Sequence, residues 1–75
     1  MNQKIEAIKE LLNKGISPPP IDACDVLDDF EELPNCLYVA RQMKIPMIFF
    51  NTHLLSQAQR DTLRRVGKGY ATLNQ

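Results

Sequence analysis

The side chains best suited to catalysis or metal binding are one histidine, His53, and two cysteines, Cys24 and Cys36. Nucleophilic catalysis needs a nucleophile beside its base, and no spacing in the sequence indicates such a pair. A zinc site built from these three residues would lack a fourth ligand. The sequence therefore predicts no enzyme, no catalytic residue, no metal ligand and no cofactor. Both cysteines are predicted to be buried as small apolar side chains.

An acidic segment precedes the middle of the chain and is formed by Asp28, Asp29, Glu31 and Glu32. Carboxylate oxygens are suitable ligands for a divalent cation, but the alternating spacing and central glycine of a calcium loop are absent. A solvated acidic surface is the favoured interpretation, and we predict that it binds a partner.

A basic stripe is predicted on one helix near the end of the chain, formed by Arg60, Arg64, Arg65 and Lys68. Such a stripe could contact phosphates, or it could solubilise the helix and pair with the acidic segment. The second interpretation is favoured. We predict these four side chains as a further partner-binding surface.

The two clusters reflect a segregation of charge along 75 residues whose formal net charge is zero. Residues 1–37 hold eight acidic and three basic side chains, for a net charge of −5, and residues 38–75 hold six basic and one acidic, for +5. Either the halves neutralise each other across one fold, or a charged surface is kept for a partner.

Three helices are predicted from their caps. The first begins at Asn2 and ends at Gly15, ahead of three prolines. The second begins at Pro34 and ends before a further proline, and the third begins at a capping box headed by Ser56 and ends at Gly67. The apolar face of the second helix is predicted to contain Cys36, Val39, Ala40 and Met43, widened by Leu37.

Three short strands alternate with these helices. Residues 21–27 favour a strand, and the alternative is a helix over residues 22–33 capped by Asp22. Residues 47–50 are an apolar run typical of a central parallel strand that is covered on both faces. Residues 69–73 are predicted to form the last strand.

This order predicts a single small domain over residues 1–75, of the α/β class, with a three-stranded parallel sheet and the sequence α-β-α-β-α-β. The alternative is an all-α small helical domain that binds DNA through the basic helix 56–68. A helix-turn-helix over residues 39–55 is disfavoured because its second helix would begin with residues 47–50, which offer no polar groups to base edges.

The second half of the chain resembles the C-terminal half of a response-regulator receiver domain, a flavodoxin-like α/β fold. Residues 45–52 are similar to that family's strand ending in a hydroxyl residue, here Thr52. Residues 67–70 resemble the glycine-then-aromatic entry to its last strand, and residues 21–25 resemble the strand that bears the phosphoacceptor aspartate. Residues 33–35 resemble the loop that follows it.

The chain departs from the receiver pattern at the groups that perform phosphoryl transfer. The family's first strand and acidic metal-binding pair are absent, and its phosphate-binding lysine is replaced by residues such as Leu73 and Asn74. Phosphoryl transfer would therefore lack its charge stabilisation. The resemblance implies the fold and a role in protein–protein contacts.

We therefore predict a non-enzymatic small regulatory or adaptor protein that acts through protein–protein interaction. A half-size parallel sheet leaves strand edges free to pair, so a homodimer or an obligate complex is expected, with nucleic acid as the less favoured partner. The N-terminal helix is unlike a secretion signal, and the longest apolar stretch, residues 45–50, is too short to span a membrane. A reducing, cytoplasmic setting is the expected location.

Overall fold

The computed structural model describes residues 2–75 and forms a two-layer α/β fold. Its helices are α1 (Gln3–Asn13), the single turn α2 (Ala23–Val26), α3 (Leu33–Met43) and α4 (Gln57–Gly67), and its strands are β1 (Ile21–Asp22), β2 (Met47–Phe50) and β3 (Ala71–Leu73). Two 3₁₀ segments, Leu27–Glu32 and Thr52–Leu54, complete the chain. The predicted alternation of helices and parallel strands is confirmed, and the all-α alternative is wrong.

The sheet has the strand order β1-β2-β3, and both pairs are parallel. Ile21 and Leu73 flank Phe49 from either side, so β2 is the central strand, as predicted. Both crossovers advance in the same direction across the sheet. Because such crossovers are right-handed, α3 and α4 lie on the same face, where they pack against each other.

The opposite face of the sheet has no helix over it among residues 2–75. Met47 and Phe49 point into the core with none of their surface accessible, whereas Ile48 between them is 39% exposed. The prediction that β2 is covered on both faces is therefore wrong. The apolar composition of β2 indicates burial on two faces. Because both crossovers pass over the same face of the sheet, the other face stays open.

The first strand is shorter than predicted because Asp22 ends it. The Asp22 carboxylate accepts a hydrogen bond from the Cys24 backbone N–H at 2.9 Å and begins α2 as its N-cap. The alternative helix over residues 22–33 is also incomplete, since Asp29 has non-helical backbone angles within the 3₁₀ segment. Cys24 consequently lies on an exposed helical turn, and its predicted burial is wrong.

The helix caps follow the sequence closely. Asn2 accepts hydrogen bonds from the first turn of α1, and Gly15 adopts a φ of +74° beyond its end. Ser56 and Gln59 form the predicted capping box of α4. The third predicted helix ends at Gly67, as predicted, but Gly67 is its last helical residue and is buried, and the left-handed conformation falls on Lys68.

The core lies between the sheet and the helices. The buried face of α3 differs in part from the predicted one. It contains Leu33, Cys36, Leu37 and Ala40, whereas Val39 and Met43, which were predicted to be buried, are exposed. Fully buried side chains from all layers meet there, including Leu12, Leu33, Leu37, Met47, Phe49 and Leu63.

Candidate functional site

The acidic segment is held in place by neighbours from α1 and the core. The Lys9 ammonium donates to the Glu32 carboxylate at 3.0 Å, and this hydrogen bond raises the pKa of Lys9. Phe30 is half-buried and packs against the core from the middle of the segment. Asp28 and Glu31 are exposed, and Asp29 is half-buried. Glu32 therefore has a partner within the chain, while the exposed carboxylates remain open to solvent.

The predicted basic stripe divides into two parts. Arg60 is half-buried, and its Nη1 donates to the backbone oxygens of Leu55 at 2.6 Å and Thr52 at 3.2 Å. The Arg60 side chain therefore stabilises the connection between β2 and α4 through its hydrogen bonds to that backbone. Arg64, Arg65 and Lys68 are exposed, and the nearest carboxylate to Arg64 is that of Asp61, 3.9 Å from its Nη1.

The two charged halves do not pair with each other. Between residues 2 and 75 the ion pairs are Lys9 with Glu32, both in the acidic half, and Arg64 with Asp61, both in the basic half. The prediction that the basic stripe pairs with the acidic segment is therefore wrong for residues 2–75. The acidic segment packs beside α2 and α3, and the basic helix α4 packs against α3 and β3.

A surface cavity of about 370 Å³ lies where β2 and β3 end. Asn51 follows β2 in the left-handed conformation and turns the chain into the 3₁₀ segment. Thr52 is 3% exposed, and its hydroxyl donates to the backbone oxygen of Asn74 at 2.9 Å. This hydrogen bond joins the segment that follows β2 to the segment that follows β3. The cavity is lined by Thr52, His53, Arg60, Arg64, Leu73 and Gln75.

This grouping was not predicted from the sequence, although a signal for it existed. His53 and Arg64 lie far enough apart along the chain that no motif connects them. However, β2 and β3 are parallel neighbours, so the residues that follow them meet at one edge of the sheet. Applying that rule to residues 51–53 and 74–75 would have indicated the cavity.

No group of three or more potential metal ligands is found within residues 2–75. None of the helices in that range combines the length and apolarity needed to cross a membrane. Comparison with known proteins finds no matching family, no matching curated protein and no matching solved structure. The resemblance to receiver domains accordingly stays a prediction.

The two cysteines differ in accessibility, and we expect them to differ in reactivity. Both are free thiols; Cys24 is exposed, and burial raises the pKa of the Cys36 thiol. Because the thiolate is the reactive form, iodoacetamide should modify Cys24 at least about tenfold faster than Cys36 under native conditions. Mass spectrometry of a timed reaction measures both rates, and urea-unfolded protein, in which the rates should converge, is the control. Equal rates in the native protein would contradict the burial of Cys36.

Proposed function

We propose that this chain is a non-enzymatic adaptor or regulatory module that works by binding protein, and that its first partner is a second copy of itself. The observation that carries the proposal is the open face of the sheet. Ile48, at the centre of the central strand, is 39% exposed, with the half-buried Phe50 two residues further along the same face. Covering the apolar surface of a sheet face removes it from water, which lowers the free energy.

The open face can pair with a second copy of itself, because β2 lies at the centre of the sheet. Face-to-face pairing about a two-fold axis parallel to the strands places β1 of one copy over β3 of the other. The same axis places β2 over β2, so Ile48 of each copy covers Ile48 of its partner. The helices, including α4 with its exposed basic side chains, then form the outer layers of the dimer.

The small area of the open face of the sheet limits the affinity expected for the dimer. A stable interface buries about 800 Å² on each partner, which is roughly a sixth of the 4576 Å² that this chain exposes. Three strands of two to four residues cannot supply that area alone, so the interface is smaller than a standard one. We expect a dissociation constant on the order of 1 μM.

The test compares wild type with Ile48→Lys by sedimentation equilibrium over about a hundredfold range of concentration around that constant. Wild type should pass from monomer to dimer. Ile48→Lys should dimerise at least about tenfold more weakly, because its ammonium would be buried unpaired at the interface. Val39→Lys is the matched control, since Val39 is an exposed β-branched residue on α3, in the helix layer.

Two outcomes would overturn the proposal. A monomeric wild type at every concentration would exclude self-association as the function of the open face. A dimer that Ile48→Lys and Val39→Lys weaken equally would show that pairing occurs elsewhere on the molecule. Circular dichroism of each variant establishes that the fold is retained, so that loss of dimer is not confused with unfolding.

A further inference from the structure

The cavity at the carboxyl ends of β2 and β3 has features that the proposed self-association does not use. It lies just outside the carboxyl ends of two neighbouring parallel strands, where the segments that follow β2 and β3 meet. Its volume of about 370 Å³ falls within the range of small-molecule sites. The open face of the sheet around Ile48 does not contribute to its lining.

Arg60 presents a guanidinium that the fold already holds in place. Of the five N–H donors of an arginine, Nη1 uses two on the backbone oxygens of Thr52 and Leu55, and Nη2 uses one on the Gln57 side chain at 3.1 Å. Two donors are left. Because the side chain is immobilised before any ligand arrives, little conformational entropy is lost when those donors are used.

Arg64 and His53 add two further nitrogen donor groups to the same cavity. Arg64 lies one helical turn beyond Arg60 on α4, and the Asp61 oxygen at 3.9 Å is beyond hydrogen-bond distance. No Asp or Glu side chain lines the cavity, whose other members are Thr52, Leu73 and Gln75. Arg60 and Arg64 therefore supply two cationic side chains to a lining that has no acidic one.

We propose that this cavity binds the phosphate group of a small molecule through Arg60, Arg64 and His53. Arginine matches phosphate geometry because its N–H groups are arranged as a planar fork that bonds two oxygens at once. Arg60, held by its hydrogen bonds to Thr52, Leu55 and Gln57, is the fixed contact, and the exposed Arg64 supplies the second guanidinium of the lining. This proposal does not depend on dimerisation, and a monomer would bind equally.

Titration with inorganic phosphate, followed by amide chemical shifts at constant ionic strength, tests the proposal. In the wild-type chain, the resonances of Thr52, His53 and Leu73 should shift together and saturate, with a dissociation constant on the order of 1 mM. Arg64→Gln should weaken binding about tenfold, as expected for one charge-assisted contact. Arg65→Gln is the matched control: it removes the same charge from the adjacent residue, which does not line the cavity.

Three outcomes would overturn the proposal. The first is the absence of saturable shifts in the wild-type protein. The second is equal weakening by Arg64→Gln and Arg65→Gln, which would indicate diffuse electrostatic attraction without a site. The third comes from a parallel titration with duplex DNA: if DNA binds and loses affinity equally on substitution of Arg64, Arg65 or Lys68, the exposed stripe is a nucleic-acid surface. Retained amide dispersion in each variant shows that the fold is intact.

Discussion

Substitution of Phe49 by alanine is expected to lower the free energy of unfolding by about 3–5 kcal/mol. Phe49 has no accessible surface and is the largest fully buried side chain. It lies in β2, the central strand of the sheet, between Ile21 and Leu73. A chain of this length is stabilised by roughly 4–10 kcal/mol in total, so the substitution removes a large share of its stability.

Urea denaturation monitored by circular dichroism measures this loss. Phe50→Ala is the matched control, because Phe50 is the next residue of the same strand but points to the open face and is only half-buried. Phe50→Ala should lower the free energy of unfolding by less than about 1.5 kcal/mol, because Phe50 buries a smaller area than Phe49 does. If Phe49→Ala is unfolded without urea, Phe49→Leu supplies a measurable transition with a smaller loss. Equal costs at positions 49 and 50 would contradict a one-sided sheet.

Substitution of Gly67 by alanine should destabilise the fold by about 1–3 kcal/mol. The sign is opposite to that at an exposed helical glycine, where alanine adds roughly 0.5–1 kcal/mol of stability. A Cβ atom at position 67 would lie 2.6 Å from the Cβ of Ala71 and 3.5 Å from a methyl group of Leu37. Since the Ala71 Cβ is attached directly to the β3 backbone, it cannot rotate away, and helix and strand would be forced apart.

A double-mutant cycle isolates this contact. Ala71→Gly removes the opposing methyl group, so Gly67→Ala should cost less in the Ala71→Gly background than in the wild type. Thermal and urea unfolding of the four proteins give a coupling energy that we expect to exceed about 0.5 kcal/mol. Additive effects, or stabilisation by Gly67→Ala alone, would refute the close approach of α4 to β3.

The elements that sequence patterns predicted well are those determined by neighbouring residues. Asn2, Ser56 and Gln59 cap their helices through bonds to backbone groups within a few positions, so their geometry follows from local sequence. The alternation of helix and parallel strand followed from the same boundaries. The burial of Cys24 was predicted wrongly because Asp22, also a local signal, ends the strand five residues before the end of the predicted strand over residues 21–27 and begins a helical turn.

The features that were not predicted depend on residues distant in sequence. The exposure of Ile48 results from the side on which both crossovers pass, which its apolar neighbours do not encode. Arg60 was expected in an exposed stripe, but its guanidinium binds the backbone oxygens of the preceding connection. The cavity combines side chains from three elements, and local periodicity has no information about such groupings. The acidic and basic segments can be located from the sequence, but whether they form ion pairs with each other depends on the fold.

The position of β2 at the centre of the sheet also has a consequence for folding kinetics. Ile21 reaches Phe49 only after α3 has been traversed, and Met47 reaches Ala71 only after α4. Both βαβ units share β2, so neither can complete its hydrogen-bond ladder before that strand is ordered. Closing such loops costs entropy before any pairing compensates for it. Folding is therefore expected to be all-or-none, with a transition state in which β2 is already docked on α3 and the outer strands join last.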